Sequence, residues 1–507
     1  MVWHGSRAIP AIIMASILPG NRCRPVLLCR PMFAFHPVCF CNKVSGINSL
    51  VVITIKMPPF KQTSAIQLLL IFIIATGGAI LRLSYNSNTL IDQPIRADAA
   101  YNLVYANNLL EDQTFSKDQS PNPVPDAYWA PGYPLFLAAV IALSKALSVD
   151  TYNLILLCQV LLGVGTLLIC HLLARMFLPG FWALLPPGLV AISPHLVSTG
   201  SYVLTETLFG FTLILALYAL ARAVTAGGKL DWLYSGIFFG VAYLVNPVSL
   251  FLAPLLAVFL AWHARRKYSA DDKRKYLLRI AVLVIPLVLV FAAWSIRSAV
   301  SVPVDQPTAS TRLLTNLVIG LYPDYHEKWR ESILQPHKKV VVPGSAVNSY
   351  GAFFNELVAN MNRSPMQVLT WYSVQKPVLL WDWDIRTGFG DIYIYRVEYS
   401  LYHTSTAAIV TYSLMRSLHI WILLGALLGL CFLMAEHEED RVVPALLYIS
   451  LIYISLVYII SQSEPRYSIP LRAELYLCFT YFLWRAFSWI DYLRQSSRLN
   501  AVQPPPG

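Results

Sequence analysis

The chain has 507 residues, 56% of them hydrophobic and only 13% charged, with a formal net charge of +11 and a mean hydropathy of +0.55. Soluble domains carry about 25% charged residues, so a string of soluble domains is excluded. Many apolar runs are long enough to span ~30 Å of hydrocarbon, which points to one polytopic membrane protein. Basic residues sit mostly in short loops beside these runs, the positive-inside pattern, so the net charge does not mark a nucleic-acid partner.

Residues 1–56 mix Arg, Pro and Cys without a clean period, and four of the eight cysteines (Cys23, Cys29, Cys39, Cys41) lie there. Met57 then opens MPPFKQTSAIQLLLIFIIATGGAILRL, an ordinary cytoplasmic start followed by a span. Residues 1–56 therefore read as a doubtful extension, either an upstream start or a targeting segment, outside the fold. The apolar windows that follow are 65–83, 153–177, 180–198, 203–223, 231–246, 247–263, 277–298, 408–435, 442–462 and 468–489, with a shorter stretch at 133–148. The fold class is all-α and polytopic, with about 10–11 transmembrane segments. Three regions follow: a membrane module over 57–298 that includes a first outer loop at 84–131, a large extracytoplasmic region at 299–407, and C-terminal helices with a cytoplasmic tail at 408–507. Cys158, Cys170, Cys431 and Cys478 lie in apolar runs and read as buried structural thiols.

Charge sets the sides. ARRKYSADDKRKY (264–276) is the most basic short loop and is placed inside, which puts 299–407 outside and LRQSSR (493–498) inside. Lys56 and Lys61 place the start of the module inside and 84–131 outside. This parity closes only if 133–148, which begins PGYP, is re-entrant or tilted rather than a full crossing. Asp98, Glu206, Arg297, Glu464 and Arg466 then all fall at the outer ends of helices or in outer loops. Charges near membrane depth are costly and usually functional, so five at one interface suggest one site.

Ala99, Leu103, Ala106 and Leu110 share one face of a helix opening at Asp98, with Asn102, Asn107, Asn108 and Glu111 on the others. This reads as an amphipathic helix along the membrane surface. Asp98 is either its N-cap or a general base that takes a proton from an acceptor hydroxyl. FAAWSIRSAV (291–300) and SEPRYSIPLR (463–472) present Arg297 and Arg466. These are either interfacial anchors or bidentate phosphate ligands. Glu206 is favoured by the dipole of the helix it opens, and Glu464 is placed to pair with Arg466 or Arg472. Tyr101, Tyr105, Tyr128, Trp129 and Tyr133 form either an aromatic belt or a sugar-stacking surface. KPVLLWDWDIRTGFGDIYIY (376–395) is either sugar-facing or packed under a lid.

The order and spacing of ADAAYNLVYANNLLEDQTF (97–115), YWAPGYPLFLA (128–138), SPHLVSTGSYVLTETLFGFTLILALYAL (193–220), GVAYLVNPVSLFLAP (240–254), WSIRSAV (294–300) and EPRYSIPL (464–471) resemble the GT-C glycosyltransferases that use polyprenyl-phosphate sugars, the group of protein mannosyltransferases and lipid A aminoarabinose transferases. The resemblance implies Asp98 as the catalytic acid of the first outer loop, Arg297 and Arg466 on the donor phosphate, and Glu206 as a recurrent acid of the family, while Tyr101, Tyr133 and Glu464 stand beside Glu206 as candidate substrate contacts from their own residue types and positions. It implies an inverting transfer from a polyprenyl-phosphate sugar to a lipid, protein or glycan acceptor, with the site facing outward from a bacterial inner membrane, an enzyme of the endoplasmic reticulum being the alternative. Two departures stand out: Ala99 follows Asp98 where many relatives carry a second acid, and Asn246–Pro247 replaces Arg-Pro. The first weakens the case for a divalent metal, because one carboxylate is a poor site without further oxygens. A metal at Asp98, with Asp118 or Asp126, stays an open alternative, and no other cofactor is implied. The competing functions are a transporter or lipid flippase, whose charges would sit at the midplane, a polysaccharide polymerase or ligase, and a scaffold without chemistry. No P-loop, HExxH or paired CxxC is present.

Overall fold

The computed structural model describes residues 64–502 except 335–341, 345–346, 387 and 437–440, together with three short strands, β1 (Cys23–Pro25), β2 (Val38–Cys41) and β3 (Val51–Val52). Most of the reading of residues 1–56 therefore lies outside the described residues.

Helix α1 (Ala65–Ser87) starts at a capping box in which Ser64 and Gln67 satisfy each other's backbone amides. It leads to a two-residue strand, β4 (Leu90–Ile91), then to α2 (Asp98–Glu111) and α3 (Gly132–Leu147). Asp150 caps α4 (Thr151–Ala174) through the Asn153 amide. The next apolar window, 180–198, is a broken rod: a 3-10 turn at Gly180–Leu184, then α5 (Leu185–Ile192) and α6 (Pro194–Thr199). Pro194 has no amide to continue the α5 ladder, so the helix stops at Ser193. Then come α7 (Glu206–Ala226), α8 (Lys229–Val245), α9 (Leu252–Lys267) and α10 (Ala270–Ser301).

The region 299–407 carries α11 (Ala309–Leu321), α12 (Tyr325–Leu334), α13 (Tyr350–Arg363), α14 (Pro365–Thr370), α15 (Lys376–Leu380), the strand β5 (Val397–Tyr399) and α16 (Leu401–Thr404). The bundle closes with α17 (Thr406–Ala435), α18 (Val442–Ile460), the short α19 (Pro465–Ser468) and α20 (Arg472–Val502). Seven of the described helical segments are long and apolar enough to cross a membrane. β4 pairs antiparallel with β5, so the segments 84–131 and 299–407 are joined in one small sheet.

Side-chain contacts fix the directions. Arg82 of α1 lies against Gly163 of α4, and Gly78 against Leu167, so these two helices are antiparallel. The Ser235 hydroxyl donates to the Ala216 carbonyl at 3.0 Å across the α7–α8 hairpin. In the same sense, Arg472 meets His419 and Arg485 meets Glu436, so α17 and α20 run side by side in one direction. The segment around 133–148 is settled by the same contacts. Gly132, at the start of α3, sits so close to the end of α8 that a Cβ there would fall 2.6 Å from the Leu244 carbonyl carbon. Lys145, near its end, reaches Glu111 at the end of α2, and a three-residue turn leads into α4. Both ends of α3 thus lie at one end of the bundle, alongside α2.

The α2 stripe is rotated from the sequence expectation. Its buried residues are Ala99, Asn102, Tyr105 and Ala106, while Leu110 is exposed. The helix docks on α3 rather than presenting its leucines inward, and this turns Asn102 toward the interior. Asp98 is also not an N-cap: the cap position is Ala97, with φ 47° and ψ −123°, and Asp98 occupies the first helical turn. Of the four cysteines in the apolar runs, Cys170 and Cys478 are buried, Cys158 is intermediate, and Cys431 is exposed, contrary to the expectation of burial.

Candidate active site

Arg466 is the centre. Its Nη2 donates to Asp98 Oδ2 at 2.5 Å, and its Nε lies 3.3 Å from Glu206 Oε1 and 3.8 Å from Glu464 Oε2. Asp98 comes from the first turn of α2, Glu206 opens α7, and Glu464 and Arg466 sit in the turn between α18 and α20. Four of the five charges expected at one interface are therefore in mutual contact. Glu206 and Glu464 are almost fully buried, while the Asp98 side chain keeps 30% of its exposure and Arg466 keeps 18%. The acids Asp98 and Glu206 each lie at a helix start, where the backbone dipole favours negative charge. Glu464 is further held by the Gln462 amide and by His326, whose Nε2 is 3.5 Å away.

A polar cavity opens on this cluster, lined among others by Asp98, Asn102, Trp129, Glu206, Arg312 and Arg466. Asn102 is 1% exposed, and neither its amide nitrogen nor its oxygen has a partner within the protein. A buried amide left this way is costly, and it lies on the wall of the cavity. Arg312, from α11, lays its guanidinium 3.8 Å from the Trp129 ring centroid. Asn246, at the position of the second departure, donates to the Tyr458 hydroxyl at 3.0 Å, and Tyr458 stacks on Tyr467 at 4.8 Å. Burial pushes the Asp98 carboxyl up, but the charge and hydrogen bond of Arg466, with help from Arg312, outweigh it and hold it below the usual carboxylate range.

The other candidates fall elsewhere. Arg297 is not brought into the cluster: it donates to the Asp126 carbonyl at 2.7 Å and the Phe115 carbonyl at 3.2 Å, and packs on Trp294 and Phe115. Its position ties the loop between α2 and α3 to the end of α10. Tyr133 is wholly buried and donates to Gln159 Oε1 at 3.2 Å. Tyr101 is half exposed, with its ring 6.3 Å from that of Trp129. Trp383 and Ile385 are buried, and the Trp383 carbonyl meets His195 of α6 at 2.8 Å, so the 376–395 stretch packs on the bundle. Arg312 and Asn102 were not singled out from sequence. Arg312 sits in the polar 299–407 region without any signature around it, and Asn102 read as one of several polar residues on a surface helix.

Divalent metal is poorly served by this arrangement. Asp98, Glu206 and Glu464 converge on a guanidinium of the chain itself, so a positive charge already occupies the point where their oxygens meet. The Asp126 carboxylate accepts from Tyr105 and two backbone amides, and that of Asp118 accepts from Ser120 and the Val124 amide. These acids order the loop.

Residues 132–294 match the family model of dolichyl-phosphate-mannose-protein mannosyltransferases. That segment is about a third of a chain that is otherwise helical, with seven described helical segments long and apolar enough to cross a membrane. No curated protein sequence matches it. Among solved structures, it resembles the Archaeoglobus fulgidus oligosaccharyltransferase tethered to an acceptor peptide, at 15% identity and a TM-score of 0.48, over 87% of this chain and 52% of that one. It also resembles ArnT from Cupriavidus metallidurans bound to undecaprenyl phosphate, at 11% identity and a TM-score of 0.37, over 85% and 80%. A third is the arabinosyltransferase EmbB from Mycobacterium smegmatis, at 14% identity and a TM-score of 0.32, over 77% and 41%. The chain spans about half the length of the archaeal enzyme.

Proposed function

We propose that the chain transfers a sugar from a polyprenyl-phosphate donor to an acceptor hydroxyl or amine at the outer face of a bacterial inner membrane, with inversion. The observation that carries this is the convergence of Asp98, Glu206 and Glu464 on Arg466, beside Arg312, in one polar cavity at the end of the bundle where α1 gives way to α2. A transporter would place its charges at the midplane; these lie at helix starts and in outer turns.

In this reading the acceptor oxygen or nitrogen attacks the anomeric carbon. The bond from that carbon to the phosphate oxygen breaks, the electron pair leaves with the polyprenyl phosphate, and the acceptor proton goes to Asp98. Arg466 and Arg312 stabilise the charge that grows on the leaving phosphate. Arg312 takes the place that the sequence suggested for Arg297. The ion pair has a mechanistic role of its own: with Arg466 on it, Asp98 is a weak base. A donor phosphate that draws Arg466 toward itself loosens that hold, and the carboxylate gains basicity only when a donor is present. Trp129 and Tyr101 offer rings on which a sugar can stack.

The test is sugar transfer by membranes carrying the protein, with a panel of polyprenyl-phosphate sugars, comparing wild type with Asp98→Asn. The expected result is transfer from one donor class that falls by ~100-fold or more in the variant at equal protein level. Transfer unaffected by the substitution would remove Asp98 from the base role.

A further inference from the structure

Lys376, at the start of α15, is wholly buried. No carboxylate among the described residues pairs with it. Its Nζ instead donates to two backbone carbonyls from distant parts of the chain, Gly320 at 2.9 Å and Ser461 at 2.6 Å, and lies 4.2 Å from the Tyr372 ring centroid. Trp371 Nε1 donates to the same Gly320 carbonyl at 2.9 Å. Gly320 is pressed so tightly on Ser461 that a Cβ would fall 1.6 Å from the Ser461 oxygen. Only glycine permits this approach.

The two carbonyls belong to the two segments that carry the arginines of the cavity. Gly320 ends α11, which carries Arg312 about two turns earlier. Ser461 follows α18 and precedes Glu464 by three residues and Arg466 by five. A lysine is an expensive choice for such a place. Burial alone drives its amine down to about 7, and a methionine of similar volume would fill the space without that cost. What methionine lacks is the donor that holds both carbonyls at once.

We propose that Lys376 is a positioning residue of the active centre, fixing the spacing between Arg312 and Arg466 by holding the end of α11 and the 461–466 turn on one nitrogen. The idea rests on the reading of those arginines as ligands of the donor phosphate. Lys376 itself touches no substrate. Its effect is on where two other cations stand, so it acts on donor binding and leaves acceptor binding alone.

The test uses the full-length protein in lipid nanodiscs, as wild type, Lys376→Met and Gly320→Ala, by hydrogen-exchange mass spectrometry and by transfer kinetics. In Lys376→Met, peptides covering 309–321 and 461–467 should gain exchange together, by ~tenfold or more, while α7 peptides stay as in the wild type. The donor KM should rise by ~tenfold with the acceptor KM unchanged. Exchange unchanged in both peptides, or raised in one only, overturns the proposal. Where Lys376→Met does not fold, Gly320→Ala decides, because it pries the same carbonyls apart with Lys376 intact: paired exchange gains uphold the latch and their absence overturns it. The paired gains in a wild-type background that transfers no sugar from any donor would refute the glycosyltransferase reading while upholding the latch as the spacer of the two segments.

Discussion

Replacing Arg466 by methionine removes one cation from among three acids. At an effective dielectric of ~20, a charge pair at the observed 2.5, 3.3 and 3.8 Å attracts by about 7, 5 and 4 kcal/mol before desolvation is counted. Much of that gain is cancelled by the cost of taking the charges out of water, and Asp98 is partly solvated. The net loss on breaking a buried pair is about 3–5 kcal/mol, and the exposure of Asp98 puts this case near the lower end, at ~3 kcal/mol. The pH dependence separates this from a packing effect. In the wild type the Asp98 carboxyl is held below its ordinary value, so its share of the stability is present above pH ~4 and is lost as pH falls through the lowered value. Without Arg466, burial dominates and the carboxyl rises, which reverses the sign: the variant suffers most at high pH and recovers as the acid protonates. Denaturant unfolding in detergent at pH 8 and pH 4.5 reads this as a stability gap that narrows at the lower pH. A gap of under ~1 kcal/mol, or one equal at both values, would refute the account of the cluster. Transfer should fall ~100–1,000-fold in the same variant.

Ala97 holds a backbone conformation, φ 47° and ψ −123°, that suits glycine, so Ala97→Gly should raise the unfolding free energy by ~1 kcal/mol; a loss of stability would show the strain is absent. Arg297 and Arg312 should separate cleanly. Arg297→Ala takes a charged donor from two carbonyls and should cost ~1–3 kcal/mol in unfolding with the donor KM unchanged, whereas Arg312→Ala should raise the donor KM by ~tenfold with little change in stability. Paired kinetics and unfolding on the two variants check this, and the opposite pattern would return the phosphate to Arg297.

The apolar windows were legible because hydrocarbon thickness imposes a length that composition reveals. The odd status of 133–148 was legible through charge parity, and contacts of Gly132 and Lys145 now put both ends of that helix at one end of the bundle. Asp98, Glu206, Glu464 and Arg466 could be grouped because each is a charge at a helix end in an otherwise apolar chain. Arg297 met the same criterion and landed elsewhere, since a charge at the right depth can equally be used up on loop carbonyls. Arg312 and Lys376 had no such flag: both lie in a polar region where an arginine or lysine carries no surprise, and only the tertiary contacts single them out. The face of α2 was misjudged for a related reason. Periodicity aligns Leu103 and Leu110, but a leucine facing lipid costs nothing, whereas the docking of α2 on α3 turns Asn102 inward.

Asp98 and Arg466 are 368 residues apart in the chain. During synthesis the acid emerges with the first helix, and its counter-charge arrives only with the turn that precedes the last one. Through all the intervening insertions, Asp98 and Glu206 stand without the arginine that later contacts them both. A chain halted before α18 is complete has Arg312 near Asp98 but lacks the guanidinium that touches both acids, so the hairpin from α18 to α20 acts as a clasp: it adds no net charge, since Glu464 arrives with Arg466, and instead supplies the one group that ties the separate acids together.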